Sequence, residues 1–196
     1  MRIAGRVGAA GDAEMVATRL TTADELAALP EDGYQYELVR GELRRMPPPG
    51  WDHGRYCARI ARPFFAYEDE TGLVTVVTND TGFRLESDPD TVRGPDIAVV
   101  LNSQIPADYE GTYQAISPAV VAEAASPSEE KSEIEGKIAD YIRAGILLVL
   151  YFFPVTKTVW VDGAGRDRVV MTEADLIDCS DVLPGMPPVS IADIFR

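Results

Sequence analysis

The sequence predicts a mixed α/β (α+β) fold in which a mixed β-sheet is flanked by helices. Strand-like segments come first, and a strand–helix–strand unit follows them. Two runs, residues 119–125 and 146–153, are apolar at nearly every position, which indicates strands that are covered on both faces. Because a crossover through a helix returns the chain in the same direction, we expect these two strands to pair in parallel.

The elements before this unit follow from capping and turn signals. Residues 22–29 predict a short helix, because Thr22 and Glu25 have the spacing of a capping box. Residues 36–40 and 42–46 alternate in the manner of strands and are joined by a glycine, which predicts a tight hairpin.

A longer helix and three strands are expected next. Residues 52–68 have a helical pattern, which Pro63 should kink or divide. Strands are expected over residues 73–77 and 82–85, and a third over residues 93–101, which opens with Gly-Pro.

The second helix has clear boundary signals. Ser126 is a good N-cap, and Pro127 suits the first helical position. Gly145 is the expected stop. A hairpin of residues 156–161 and 168–171 should complete the sheet.

Length and composition indicate one domain, residues 21–196, preceded by a flexible arm, residues 1–20, which is rich in Gly and Ala. No apolar run approaches the roughly 18 residues that span a bilayer, and the arm lacks the apolar core of a signal peptide. We therefore expect a cytoplasmic protein that does not enter membranes. Cys57 and Cys179 are too few for a disulfide framework or a zinc site and are interpreted as structural thiols.

The charge of the chain bears on its partners. A net charge of −14 argues against broad nonspecific binding to nucleic acid, which needs clustered Lys and Arg. Arg55, Arg59 and Arg62 nevertheless have helical spacing and predict a basic stripe, although a solvated helix face explains them equally well. An acidic protein can also hold an acidic metal site, so the sign of the net charge does not decide whether the chain acts on nucleic acid.

Two carboxylates stand in apolar surroundings. Asp96 interrupts an extended apolar run, and Glu123 sits in the middle of another. A buried carboxylate costs several kcal/mol unless it is paired or bound to a cation. Two such residues on neighbouring strands predict a site for Mg²⁺, whereas a core salt bridge with arginine would explain either residue alone.

An ordered set of motifs carries a family resemblance. The motifs, in order, are YELVRGEL (residues 36–43), HG (53–54), TNDTGFRL (78–85), VRGPDIAVV (92–100) and EAASPS (123–128). Lys137, Tyr141 and Ala144-Gly145 follow them. Together the set resembles the Uma2 family of the PD-(D/E)XK nuclease superfamily.

The resemblance implies a restriction-endonuclease-like core with Asp96, Glu123 and Lys137 as catalytic residues. It also implies Mg²⁺ or Mn²⁺ as cofactor, bound by the two acids, and DNA as partner, with assembly into a homodimer left open. Ala125 stands where the superfamily keeps a lysine, so the site resembles a variant in which a helix supplies that lysine. The family match, and not periodicity, selects Lys137 over Lys131.

Further residues are assigned by the same resemblance or by local pattern. Glu37 matches an early family glutamate that is either a metal ligand or an orienting residue, while a charge at the hairpin edge is an equally good explanation. His53, Arg55 and Arg59 are candidate phosphate contacts, with capping or surface roles as the alternatives. Asp80 is interpreted as a turn former.

The function implied is metal-dependent endonucleolytic hydrolysis of DNA. The rival is a non-catalytic nucleic-acid-binding or interaction module that keeps the nuclease fold, which the acidic charge and Ala125 favour. A metal-dependent hydrolase with another substrate is the second rival.

Overall fold

The computed structural model describes residues 19–108, 113 and 116–196. Residues 1–18 of the expected arm therefore lie outside the described residues. Within these ranges the chain forms two larger sheets and a short two-stranded one. No helix in this part of the chain has both the length and the apolar character needed to cross a bilayer.

A six-stranded sheet forms the centre of the molecule. Its order is β10–β9–β8–β7–β6–β3, and β7 and β8 pair in parallel while the other neighbours are antiparallel. The expected parallel crossover is thus confirmed. The strands are β3 Val74–Thr78, β6 Ile97–Leu101, β7 Val120–Ala124, β8 Leu148–Phe153, β9 Thr158–Asp162 and β10 Val169–Thr172.

The second large sheet has four strands in the order β2–β1–β5–β4. The predicted hairpin is confirmed: Arg40 and Gly41 both have positive φ, 50° and 77°, as a two-residue primed turn requires. The strands of this sheet are β1 Gln35–Val39, β2 Glu42–Met46, β4 Phe83–Glu86 and β5 Thr91–Arg93.

The single strand expected over residues 93–101 is wrong. β5 ends at Arg93 in the four-stranded sheet, and β6 begins at Ile97 in the six-stranded one. Pro95 cannot donate to a strand ladder, so the chain leaves one sheet and enters the other across residues 94–96. Asp96 therefore stands at the crossing point between the sheets.

A short 3-10 helix, Asn102–Gln104, and four α-helices complete the described fold: α1 Ala23–Ala27, α2 Trp51–Thr71, α3 Lys131–Arg143 and α4 Ile191–Phe195. The predicted capping box of α1 is present. α2 and α3 pack on opposite faces of the six-stranded sheet, because successive residues of β7 alternate between the two apolar cores that these helices cover. Pro63 lies inside α2 and does not divide it.

Helix α3 begins four residues later than the Ser126 N-cap predicts. Its N-cap is Glu130, which forms a capping box with Glu133 and so satisfies the first free N–H groups. Ser126 Oγ instead pairs with Ser128 Oγ at 3.0 Å. The predicted stop is confirmed, since α3 ends before Gly145, whose φ is 82°.

The C-terminal segment covers the α2 face. Strands β11 Leu176–Ile177 and β12 Val189–Ser190, which the sequence did not predict, pair with each other before α4. Phe195 then meets Tyr56 edge-on, with ring centroids 6.1 Å apart. This packing ties the end of the chain to the first half of α2.

Candidate functional site

A cleft of about 700 Å³ opens at the end of the six-stranded sheet, where β6 begins and β7 ends. The β1–β2 hairpin, residues 47–50, and the beginnings of α2 and α3 contribute to its walls. Several of the residues that the sequence singled out line this cleft, namely Glu37, His53, Asp80, Asp96, Glu123 and Lys137.

The β6–β7 register brings the two buried acids together. Ile97 pairs with Ala122, so the register, continued by one residue, places Asp96 opposite Glu123, and opposite residues of an antiparallel pair share one face of the sheet. Asp96 Oδ2 accepts a hydrogen bond of 2.7 Å from Ala124 N–H. Asp96 and Glu123 are only 8% and 3% exposed, as their apolar sequence context suggested.

Asp96 is held in its ionised form. Burial raises the pKa of this carboxyl, but hydrogen bonds from His53 and from Ala124 N–H, together with the charge of Lys137, bring the pKa below its ordinary value. The Nε2 atom of His53 lies 3.4 Å from Oδ2. Asp96 is therefore available as an anionic ligand at neutral pH.

The surroundings of Glu123 stabilise a negative charge less well than those of Asp96. Burial raises the pKa of its carboxyl to about 8, although Lys137 and the Tyr141 hydroxyl act in the opposite direction. Tyr141 O–H donates to Oε1 at 2.5 Å, and Lys137 Nζ lies 3.9 Å from Oε2. A cation beside Oε2 would stabilise the ionised form.

Lys137 extends from α3 into the same cleft. Its ammonium lies 3.2 Å from Oε1 of Glu129, and its side chain is 18% exposed. Burial lowers the pKa of Lys137, but the surrounding carboxylates, Glu123 first, raise it above its ordinary value, so this amine stays charged. Lys131, the other lysine of this helix, instead lies 5.9 Å from the ring centre of Trp160.

Glu37 has both carboxylate oxygens engaged within the protein. Arg93 Nη1 donates to Oε2 at 2.7 Å, and Gly94 N–H donates to Oε1 at 3.0 Å. Of the roles that the sequence left open, this arrangement favours the orienting one, because Glu37 holds the segment that carries Asp96.

Arg93 and Asp140 form a buried pair that the sequence reasoning missed. The Nε and Nη2 atoms of Arg93 donate to Oδ2 of Asp140 at 3.0 and 2.5 Å. Asp140 is 2% exposed and lies on α3 next to Tyr141. The available signal was a carboxylate among the apolar positions of an amphipathic helix.

Asp80 combines the expected turn role with an unexpected place in the cleft. Asn79 and Asp80 have φ values of 64° and 54°, as turn residues commonly do. Burial and the neighbouring Asp96 raise the pKa of the Asp80 carboxyl to about 6, and the Gln35 side-chain amide donates to it. Nothing in its sequence neighbourhood distinguishes it from an ordinary turn aspartate.

His53 and Cys57 lie one turn apart on α2. The Cys57 Sγ and His53 Nδ1 atoms are 3.4 Å apart, and the other ring nitrogen faces Asp96. The ligand atoms of His53, Cys57 and Asp96 all lie within 4.8 Å of one another. Asp96 raises the pKa of His53 through its hydrogen bond, and burial raises that of the Cys57 thiol.

Arg55 and Arg59 do not line the cleft, so the structure does not bring these two candidate phosphate contacts to the acids. Arg55 Nη1 donates to the Arg196 carbonyl at 3.3 Å, and Arg59 Nη1 donates to the Ile194 carbonyl at 3.4 Å. The stripe faces the C-terminal segment because α4 packs on that side of α2.

The sequence matches the Uma2 family profile, described as "Putative restriction endonuclease", over residues 23–191. The chain belongs to the Uma2 family. This membership confirms the resemblance carried by the ordered motifs. No curated protein matches this Uma2 chain in sequence.

A solved structure is similar to this Uma2 protein. It is a protein of Anabaena variabilis described as "a putative nuclease belonging to DUF820", and the TM-score is 0.76 with 21% sequence identity. The match covers 89% of this chain and 97% of that chain. At this identity the likeness shows the fold, a mixed sheet flanked by helices, which confirms the predicted fold class.

The donor atoms of the Uma2 cleft fit a hard divalent cation. Asp96 Oδ1 accepts no hydrogen bond from the described residues, and the nearest cation to Glu123 Oε2 within that part of the chain is Lys137 at 3.9 Å. Carboxylate oxygens with room for water are the ligands that Mg²⁺ and Mn²⁺ prefer. The raised pKa of Glu123 adds a reason why a cation would bind there.

Proposed function

We propose that this protein is a metal-dependent endonuclease that hydrolyses phosphodiester bonds in DNA. The observation that carries the proposal is the meeting of Asp96, Glu123 and Lys137 in one cleft. Two buried carboxylates beside a charged lysine are costly to keep in a fold unless they bind something. Membership of the Uma2 family supports the same reaction class.

In this proposal Asp96 and Glu123 hold Mg²⁺ or Mn²⁺. A bound ion of this kind lowers the pKa of its water and polarises the phosphate that is attacked. Ala124 N–H fixes the Asp96 carboxylate, and Tyr141 fixes that of Glu123, so both acids are oriented before the substrate arrives.

Lys137 supplies positive charge to the site from the protein, in addition to the charge of the metal ion. Its ammonium orients the attacking water or stabilises the charge that develops on the phosphorane. Glu129 restrains this ammonium and is itself held by the Tyr151 hydroxyl, which donates to Oε1 at 2.7 Å. The restraint limits the entropy that a long lysine side chain would lose on binding.

The cleft wall offers contacts for a phosphate backbone. Arg44 and Arg45 of β2 line it and bring positive charge into a chain whose net charge is −14. Arg44 is paired with Glu42 at 3.1 Å, and both side chains are exposed, so a phosphate can replace this partner at small cost.

A non-catalytic binding module is the second candidate. The net charge of −14 and the absence of a lysine at position 125 favour it. Such a module would keep the cleft and the fold but would not hydrolyse DNA.

The deciding experiment incubates the full chain with single- and double-stranded DNA in the presence of Mg²⁺, Mn²⁺ or a chelator. Cleavage that requires the metal and disappears in Asp96→Asn supports the proposal. Binding without cleavage under all of these conditions would favour the module, and cleavage that persists with the chelator would contradict the proposed metal dependence.

A further inference from the structure

We infer that His53, Cys57 and Asp96 form a second cation site, selective for zinc and similar transition metals. This trio uses a different set of ligands from the proposed Mg²⁺ site and shares only Asp96 with it. Its three ligand atoms lie within 4.8 Å of one another at the inner end of the cleft.

The helix geometry places two of the ligands. His53 and Cys57 are four residues apart on α2, so their side chains leave the same face of the helix. Asp96 approaches from the crossing between the two sheets and is anchored there by Ala124 N–H. An anchored carboxylate is the usual support of a metal centre.

The ligand atoms are near one another but not yet at the spacing of a tetrahedral site. Zinc bonds of about 2.0–2.3 Å place neighbouring ligand atoms roughly 3.3–3.7 Å apart. The contacts from His53 to Cys57 Sγ and to Asp96 Oδ2 are both 3.4 Å, but they use different ring nitrogens, and one atom from each residue gives separations of up to 4.8 Å. Metal binding therefore requires these side chains to draw together by roughly 1 Å.

The chemistry of the ligands selects the metal. Thiolate and imidazole favour zinc, cobalt and other borderline cations, whereas Mg²⁺ prefers oxygen ligands only. Binding would release the Cys57 proton to solvent, because the thiolate is the form that coordinates. His53 and Asp96 both line the cleft, so a water molecule has access to the fourth position.

Sharing Asp96 couples the two sites. A zinc ion on Oδ2 takes negative charge from the carboxylate whose Oδ1 the proposed endonuclease offers to Mg²⁺ and also repels the second cation, so zinc is expected to weaken Mg²⁺ binding and to inhibit cleavage. This consequence rests on the proposed function, whereas the binding of zinc itself does not.

The binding test uses Co²⁺ as a spectroscopic substitute for zinc. Co²⁺ is titrated into the full metal-free chain while the near-ultraviolet absorption of a cobalt–thiolate bond is followed. Cys179, the other thiol, is buried away from the cleft, so Cys179→Ala is the matched control. We expect the band in the unmodified protein and in Cys179→Ala, its loss in Cys57→Ala, a strong weakening in His53→Ala, and its disappearance when zinc is added.

The competition test follows Mg²⁺-dependent cleavage at increasing zinc concentration. We expect Cys57→Ala to raise the inhibitory zinc concentration by about tenfold or more. A cobalt–thiolate band that never forms, or that survives in Cys57→Ala, would overturn the site. Equal zinc inhibition of Cys57→Ala and the unmodified protein would overturn the competition. If no cleavage occurs at all, the proposed function fails, and the Co²⁺ titration still decides the metal site.

Discussion

Lys137 on α3 and Glu123 on β7 meet at the junction of strand and helix, with Nζ 3.9 Å from Oε2. Ala125 cannot supply a cation to this cleft, and α3 supplies one instead. The late start of α3 at Lys131 makes this geometry accessible, because residues 126–130 form a loop and the helix begins only after it. Lys137 then lies in the second turn of the helix rather than far along it.

The first prediction concerns this ammonium. Lys137→Ala should lower the cleavage rate by roughly 10²–10³, the cost of removing one group that stabilises developing charge. Lys131→Ala is the matched control on the same helix and should retain nearly full activity, since Lys131 lies over Trp160. The measurement is the single-turnover rate at saturating Mg²⁺. Loss of cleavage in Lys131→Ala with full activity in Lys137→Ala would refute the assignment.

The parallel pairing of β7 and β8 was predictable from sequence because it depends on local information. Both strands are uninterrupted apolar runs, and the handedness rule decides how the intervening helix joins them. The two acids were found for the same reason, since a carboxylate in such a run is conspicuous. Features that depend on such local patterns can be predicted from the sequence.

The misses arise where two local signals compete or where the contact is distant. Ser126 is the better N-cap by residue type, yet α3 begins after Glu130, and the loop residue Glu129 contacts Lys137 and Tyr151. The break within residues 93–101 carries a local signal, Gly94-Pro95, but that signal alone does not show that β5 and β6 belong to different sheets. Neither the start of α3 nor the change of sheet within residues 93–101 can be predicted without the surrounding fold.

The second prediction separates the charge of Asp96 from its structural role. Asp96→Asn keeps an oxygen that can accept from Ala124 N–H but removes the charge, so it should fold normally and lose more than about tenfold in Mn²⁺ affinity. Asp96→Ala should lose the same affinity and, in addition, about 1–3 kcal/mol of stability, because that N–H is left without a partner. Calorimetric titration and urea unfolding measure the two effects. Undiminished Mn²⁺ affinity in Asp96→Asn would exclude Asp96 as a ligand.

The third prediction is a pH dependence of stability that originates at Glu123. The folded protein raises the pKa of this carboxyl from 4.5 to about 8, so between these values the folded state binds more protons than the unfolded state. The stability contributed by the protonated acid is therefore present below about pH 4.5 and is lost as the pH rises through about 8. The total change should be on the order of 5 kcal/mol, since each pKa unit corresponds to about 1.4 kcal/mol.

Glu123→Gln tests this sign directly. The variant carries no titrating proton, so its metal-free stability should fall less between pH 5 and pH 9 than that of the unmodified protein. Added Mn²⁺ should restore stability at high pH in the unmodified protein only. Urea unfolding across pH provides the measurement, and parallel profiles for the two proteins would contradict the assignment.

The fourth prediction concerns the buried ion network. Arg93→Met removes the cation that Glu37 and Asp140 share. Asp140 keeps its pair with Arg143, but Glu37 loses its buried partner, so the variant should cost about 3 kcal/mol. The control is Arg166→Ala, which removes an exposed pair with Asp181 and should cost less than about 1 kcal/mol. Urea unfolding at one pH compares them, and similar costs for both variants would show that the buried network is not stabilising.

The fifth prediction links the turn at Asp80 to the position of Asp96 through Gly94. A Cβ at Gly94 would lie 2.6 Å from the Asp80 carbonyl oxygen, and because that atom belongs to the backbone, no rotamer change can relieve the overlap. Gly94→Ala should therefore cost about 1–3 kcal/mol and displace the segment that carries Asp96, which lowers Mn²⁺ affinity as well. Gly54→Ala on α2 meets nothing within 4 Å and should be neutral or stabilising by up to about 1 kcal/mol. Urea unfolding and Mn²⁺ titration of both variants check this, and a Gly94→Ala protein with normal stability and normal Mn²⁺ affinity would show that the contact does not position Asp96.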